Sequence, residues 1–333
     1  MLLALDIALR TPDVFKRLHV FTFWGRDLME ISRILFKLGL PESMADILRS
    51  YGYNNLNSLL TLSSRELAAM LKIDVRIAER ILEEARKAFS FNAKDIISFI
   101  KISKHRRFTT GSSSLDLLFG GGIPLGLIIE IAGESGTGKT QLCHQLCVTV
   151  QMDEEHGGLG GRAVYIDTEG TFRPERIIQI AKYRGLEPKT TLKNILLASA
   201  KTFAEEYSLI SSIERLDKSY KLLIVDTLTS PLQVEYADDV VTRRWALGRL
   251  LMKLREIADR EMAVIVANRV ISDPNTGEVK PLGGTLMAQG VDYRIMLYKG
   301  RKKDERIARL IYGVDVPEGE ARFRIVEYGI DDV

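Results

Sequence analysis

The chain reads as an α/β protein with a mostly parallel central sheet, preceded by a small all-helical N-terminal domain. Three observations predict this. From Thr110 onward, apolar strand candidates alternate with amphipathic helices, the pattern of repeated strand–helix–strand units. An apolar run over 127–132 leads into a glycine-rich loop, residues 133–140, which opens a helical stretch over 141–151. Between about 40 and 90 the periodicity is helical throughout.

Taken in order, residues 1–37, with Phe21, Phe23 and Trp24, carry no assignable pattern. Residues 38–92 form the small helical domain. Ser63 and Glu66 make a capping box ahead of Leu67, Met70 and Leu71, and Asp74 can cap a further helix that places Ile77, Ala78, Ile81, Leu82 and Ala85 on one face. Residues 93–109 are a basic linker holding Lys101, Lys104, His105, Arg106 and Arg107, which reads equally as a solvated connection or as a DNA contact. The α/β core spans 110–333, with strands expected near 127–133, 162–167, 194–199, 221–226, 262–268 and 293–299. The basic stretch from Lys299 to Lys303 reads as a hairpin tip, solvated or touching DNA.

Composition bounds the function classes. A chain of 333 residues, 46% hydrophobic and 27% charged, has the make-up of an ordinary globular protein. A net charge of only +3 excludes nucleic-acid binding by bulk basicity and leaves it to local patches. Asp6 and Arg10 interrupt the apolar start before a signal-peptide core can form, and no run reaches membrane-spanning length, so no membrane partner is expected. Cys143 and Cys147 stand four apart on one helix and find no histidine at metal-ligand spacing, so they read as buried apolar residues of a reducing compartment. The expected location is intracellular: the cytoplasm or nucleoid of a prokaryote, or a nucleus if the source is eukaryotic.

The loop Gly133, Glu134, Ser135, Gly136, Thr137, Gly138, Lys139, Thr140 carries the chemistry, with Gln141 beginning the helix behind it. Its glycines let backbone N–H groups turn inward on a phosphate chain, Lys139 can reach the β- and γ-phosphates, and the Thr140 hydroxyl can join Mg²⁺. The helix N-terminus faces the same anion. A nucleoside triphosphate and Mg²⁺ are therefore the expected ligands, and the resemblance given below makes ATP and Mg²⁺ the expected cofactors. Asp226 ends the apolar strand beginning at Leu222 and is placed to hold Mg²⁺ through water. Asp167 and Glu169 follow another strand tip, and chemistry alone does not rank them as the group that polarises water.

Longer stretches resemble a known family. Residues 110–123 (TGSSSLDLLFGGGI), the phosphate loop, residues 166–176 (IDTEGTFRPER), 225–230 (VDTLTS) and 316–321 (VPEGEA) closely resemble the RadA type, the archaeal and eukaryotic branch of the RecA-like recombinases. The resemblance is strong over about 105–330 and weak over 40–90, where that family carries a helix-hairpin-helix-like DNA-binding domain. It implies a RecA-like P-loop ATPase core, DNA-dependent ATP hydrolysis in recombination and repair, and single-stranded DNA as partner. It also implies a second protein partner, either a recombinase of the same family or further copies of this chain. By the same resemblance Glu169 and Lys139 are catalytic, Asp226 is the second acidic ATPase residue, and Arg176, or else Arg173, packs on adenine.

Departures from the family pattern cluster away from nucleotide. The family's Phe-x-x-Ala polymerisation segment has a misregistered candidate from Phe89 through Phe91 to Ala93. The first DNA loop reads Glu235, Tyr236, Ala237, Asp238, Asp239, Val240, and its carboxylates would repel a phosphate backbone. Arg243 and Arg244 read as the exposed face of a helix bearing Leu247, Leu250, Leu251 and Leu254. The second DNA loop, 270–280, holds one lysine and no aromatic. Arg269 replaces a glutamine linked to the γ-phosphate, Gln289 replaces a histidine, and Tyr312, Gly313 and Val314 replace an Asp-x-Pro cap. Lys72, Ile73 and Asp74 stand where the family has a glycine-marked hairpin. The expectation is an accessory paralogue that modulates a recombinase filament. The alternatives are an active strand-exchange recombinase, a scaffold without turnover, and a RecA-like ATPase or kinase outside recombination.

Overall fold

The structure, a computed structural model, describes residues 24–53, 56–88, 106–272 and 279–333. The Phe89 to Ala93 segment, Lys101, Lys104 and His105 of the linker, Phe21 and Phe23, and residues 273–278 of the second loop lie outside the described residues. The chain divides into two units, Met1–Phe99 and Ile100–Val333.

The first unit is helical: α1 (Trp24–Lys37), α2 (Ser43–Ser50), α3 (Leu56–Leu59), α4 (Ser64–Leu71) and α5 (Val75–Ala88). The capping box forms as its residues dictate. The Ser63 hydroxyl accepts from the Glu66 N–H at 3.3 Å, and the Glu66 carboxylate accepts from the Ser63 N–H at 2.8 Å. Asp74 accepts from the Arg76 N–H at 2.8 Å and starts α5. That helix buries Ala78, Ile81, Leu82 and Ala85 against Leu35, Leu48, Leu59 and Leu67. Lys72 closes α4 in the left-handed region, φ 54°. The position therefore takes a glycine-like conformation with a lysine, which costs of order 1–2 kcal/mol.

The second unit is built on a nine-stranded sheet. Its strands are β3 (Ile128–Gly133), β4 (Arg162–Asp167), β5 (Ile195–Ser199), β6 (Tyr220–Asp226), β7 (Ala263–Asn268), β10 (Tyr293–Lys299), β11 (Glu305–Gly313), β12 (Gly319–Val326) and β13 (Gly329–Asp332). Two ribbons lie apart from it: β1 (Arg107–Phe108) with β2 (Ile123–Pro124), and β8 (Val270–Ser272) with β9 (Val279–Pro281). The order is β13-β12-β11-β10-β3-β7-β6-β4-β5, parallel from β10 to β5 and antiparallel from β10 outward to β13. The parallel strands stand where the apolar runs place them. The antiparallel extension is an addition to that expectation: its strands are laced with cross-strand pairs such as Arg309 with Glu320 at 2.9 Å, so they never form an apolar run.

Alternate residues of the parallel strands feed two cores. Ile129, Ile131, Tyr165, Ile224 and Ile265 face one side, while Ile128, Val164, Ile166, Leu223 and Val264 face the other. Helices cover both faces, including α6 (Ser113–Leu118), α7 (Lys139–Thr149), α8 (Pro174–Tyr183), α9 (Pro188–Lys193), α10 (Phe203–Ser212), α11 (Ser230–Glu235), α12 (Val240–Ala258) and α13 (Gly284–Gly290). Among the described residues, no helix is long and apolar enough to cross a membrane. Cys143 and Cys147 are both buried free thiols on α7. The carboxyl ends of β3, β4, β6 and β7 bring Gly133, Asp167, Asp226 and Asn268 to one edge, where ligands of open parallel sheets sit.

Candidate active site

At that edge lies a cavity of about 880 Å³, lined by the phosphate loop, Glu169, Arg176, Asp226 and Arg269. Close approach requires two of the loop's glycines, and a φ of 78° favours glycine at Gly136. A Cβ on Gly133 would stand 2.7 Å from the Leu297 carbonyl oxygen, and Gly138, at φ 103°, would drive one to 2.7 Å from Ile325. No side chain caps α7 at Gly138, which leaves its first N–H groups for an anion. Glu134, Ser135, Gly136, Thr140 and Gln141 line the cavity with them. Thr137 does not. It is buried, its hydroxyl donating to the Glu134 carbonyl at 2.8 Å, so it props the loop from behind.

The Lys139 ammonium donates to the carbonyls of Gly133 at 2.7 Å and Glu134 at 3.0 Å. Burial pushes it below the ordinary lysine range, with Asp226 and Glu169 pulling the other way. The Thr140 hydroxyl donates to the Asp226 carboxylate at 2.8 Å, and Tyr165 donates to the same oxygen at 2.7 Å. Burial raises the Asp226 carboxyl against those two hydrogen bonds. A threonine hydroxyl touching a carboxylate at the foot of a phosphate loop is a hard-oxygen donor set, and Thr140 and Asp226 would fit Mg²⁺ there.

Geometry separates the two carboxylates that spacing leaves unranked. Asp167 accepts from the backbone N–H groups of Glu169 at 3.1 Å, Gly170 at 2.8 Å, Thr171 at 3.2 Å and Phe172 at 3.0 Å. It builds the turn. Glu169 stands in the cavity, accepting from Thr227 Oγ1 at 2.8 Å and from Arg269 Nε at 2.8 Å. Burial acts to raise its carboxyl, but the hydrogen bonds from Arg269 and Thr227 outweigh it and hold the group below the ordinary range.

Arg176 borders the cavity; Arg173 turns back onto the carbonyls of Gly170 at 3.0 Å and Phe172 at 2.8 Å. The Arg176 guanidinium donates to Gln141 Oε1 at 2.6 Å and to the Val326 carbonyl at 2.7 Å, tying the loop helix to the β12–β13 turn. Ile325, Val326 and Arg306 complete the wall from far along the chain, and no local motif marks them. His144 is a second residue the motifs pass over. Its Nδ1 meets the Thr140 carbonyl at 2.7 Å and its Nε2 accepts from the Arg173 N–H at 3.0 Å, which fixes a neutral tautomer. Burial pushes its pKa down to about 4, and the ring packs on Tyr165 and Phe172. A histidine five residues past a phosphate-loop lysine is its only sequence signal.

The segments expected to face DNA are built differently. Asp239 caps α12 by accepting from the Thr242 N–H at 2.9 Å. Arg243 is not part of a plain exposed face: it braces the turn by donating to Gln233 at 3.2 Å and to the carbonyls of Tyr236 and Ala237 at 3.3 and 3.2 Å. Arg244 is exposed, and Leu247, Leu250, Leu251 and Leu254 are buried. Gln289 and Tyr312 line a separate cavity of about 490 Å³.

Residues 101–333 match the Rad51 family model. The chain is 36% identical over 317 residues to the DNA repair and recombination protein RadA of Aeropyrum pernix, covering 92% of this chain and 99% of that protein. It is 37% identical over 307 residues to the protein of the same name from Metallosphaera sedula, covering 88% and 94%.

Proposed function

The chain belongs to the Rad51 family, and from that premise we propose that it is an intracellular, DNA-dependent ATPase of recombination and repair that assists a recombinase filament. The observation that carries the ATPase reading is the convergence of Lys139, Thr140, Glu169 and Asp226 on one cavity. In this reading Lys139 leaves the Gly133 and Glu134 carbonyls for the β- and γ-phosphates. Arg176 and the Ile325–Val326 wall take the adenine. Mg²⁺, held by Thr140 and by Asp226 through water, would neutralise phosphate charge. Glu169 orients a water whose oxygen attacks the γ-phosphorus. The bond to the bridging oxygen breaks, ADP leaves with that electron pair, and the water proton passes towards the carboxylate.

The accessory reading rests on contrast. Asp239 spends its carboxylate as a helix cap and Arg243 its guanidinium on loop carbonyls, so the first loop offers DNA little free cation. Single-stranded DNA and a recombinase of the same family, or further copies of this chain, are the partners. The second reading, an unaided strand-exchange recombinase, is favoured by identity to RadA over nearly the whole chain.

One preparation tests both. ATP turnover is measured with and without single-stranded DNA, and filaments and strand exchange are scored alongside. We expect turnover that DNA stimulates, a loss of about 100-fold or more in Glu169→Gln, no nucleotide binding in Lys139→Ala, and no unaided exchange. Filaments that exchange strands alone overturn the accessory role; turnover indifferent to both substitutions overturns the ATPase reading.

A further inference from the structure

Lys139 and Arg269 both line the cavity, and both are engaged with protein oxygens. Lys139 sits on two loop carbonyls, and Arg269 sits on Glu169. The Arg269 backbone is fixed: its carbonyl accepts from the Leu282 N–H at 3.0 Å, and its neighbour Asn268 is buried, donating to Glu130 at 2.6 Å and to the Leu282 carbonyl at 2.8 Å. Its side chain is 57% exposed and extends from that anchor to Glu169 Oε1. That oxygen already accepts from Thr227, so both donors crowd the group that must orient water.

We propose that Arg269 is a gate on Glu169: it holds the carboxylate until a γ-phosphate draws the guanidinium away and frees Glu169 for water. The proposal rests on the reading of the cavity as an ATP site. A guanidinium matches phosphate oxygens with two parallel N–H donors, whereas here it gives the carboxylate one Nε bond. An ion pair this exposed is weak, so a dianionic γ-phosphate outcompetes it. ADP brings no such group and leaves the pair closed. Arg269 is thus a positioning residue that makes base release depend on the third phosphate.

The test is a double-substitution cycle on the full chain, with equilibrium binding of ADP and of the β,γ-imido analogue of ATP. Arg269→Gln is expected to weaken the triphosphate analogue about tenfold and raise the KM for ATP similarly, while ADP affinity stays within twofold. Arg269→Lys restores part of the loss, because the charge returns without the fork. Glu169→Gln releases the clamp, so it tightens the analogue several-fold more in the Arg269 background than in Arg269→Gln. Equal effects in both backgrounds, or an ADP loss matching the analogue loss, overturn the gate. ADP binding that survives Lys139→Ala would instead overturn the ATP-site reading itself.

Discussion

Asp167 and Glu169 are two residues apart, yet their surroundings give them opposite work. Both oxygens of Asp167 are consumed by four backbone N–H groups, so it is committed to the turn that presents Glu169. Asp167→Asn replaces one acceptor oxygen with an NH₂ facing an N–H. We expect a loss of about 1–3 kcal/mol in urea unfolding, with activity falling only as the turn loosens. Glu169→Gln should leave stability within about 0.5 kcal/mol and remove turnover. The strand-tip pattern marks both acids equally; only the direction of the following N–H groups distinguishes them, and that is set by the turn's φ and ψ. His144 escapes sequence reading for a similar reason, because its role lies in a tautomer fixed by Thr140 and Arg173.

Whole elements depend on two carboxylates with opposite pH behaviour. Asp332, at the end of β13, accepts from the Ser113 N–H at 3.0 Å, the Ser114 N–H at 3.0 Å, the Ser112 hydroxyl at 2.5 Å and the Ser114 hydroxyl at 2.7 Å, and so caps α6 from across the fold. Burial acts to raise this carboxyl, but those bonds outweigh it and hold it far below the usual range. Its stabilisation is present above the unfolded pKa of about 3.9 and is lost as pH falls towards the folded value. Glu206 on α10 is the reverse: it is buried, neither carboxylate oxygen has a hydrogen-bond partner among the described residues, and burial pushes its pKa well up. Stability tied to it is present below the unfolded pKa of about 4.3 and is lost as pH rises towards the folded value. Denaturation between pH 3 and pH 7 checks both. Asp332→Asn should destabilise at pH 7 and converge on the parent as pH falls below about 4. Glu206→Gln should stabilise at pH 7, and that gain should vanish near pH 4. Neither residue carries a motif, since each acquires its pKa from contacts made only after folding.

At the scale of the molecule, the parallel half of the sheet was legible because each strand is buried on both faces and so reads as an apolar run. β11 to β13 were not, because one face carries Arg309, Glu320 and Arg322. The candidate site shows the same division: the phosphate loop, Glu169 and Asp226 announce themselves, whereas Ile325, Val326 and Arg306 enter only through the antiparallel extension. That extension makes the cavity a property of the entire second unit, since its wall runs from Gly133 to Val326. The first unit buries a core of its own, from Ile31 to Ala85, and the described residues that line the cavity belong to the second unit. Nucleotide should therefore stabilise one unfolding transition and not the other. In urea with ADP and Mg²⁺ at 100 times the dissociation constant, the transition of residues 100–333 should gain about 2.7 kcal/mol, while that of the helical unit stays in place. Lys139→Ala should abolish the gain. A shift shared equally by both transitions would mean that the helical unit contributes to nucleotide binding.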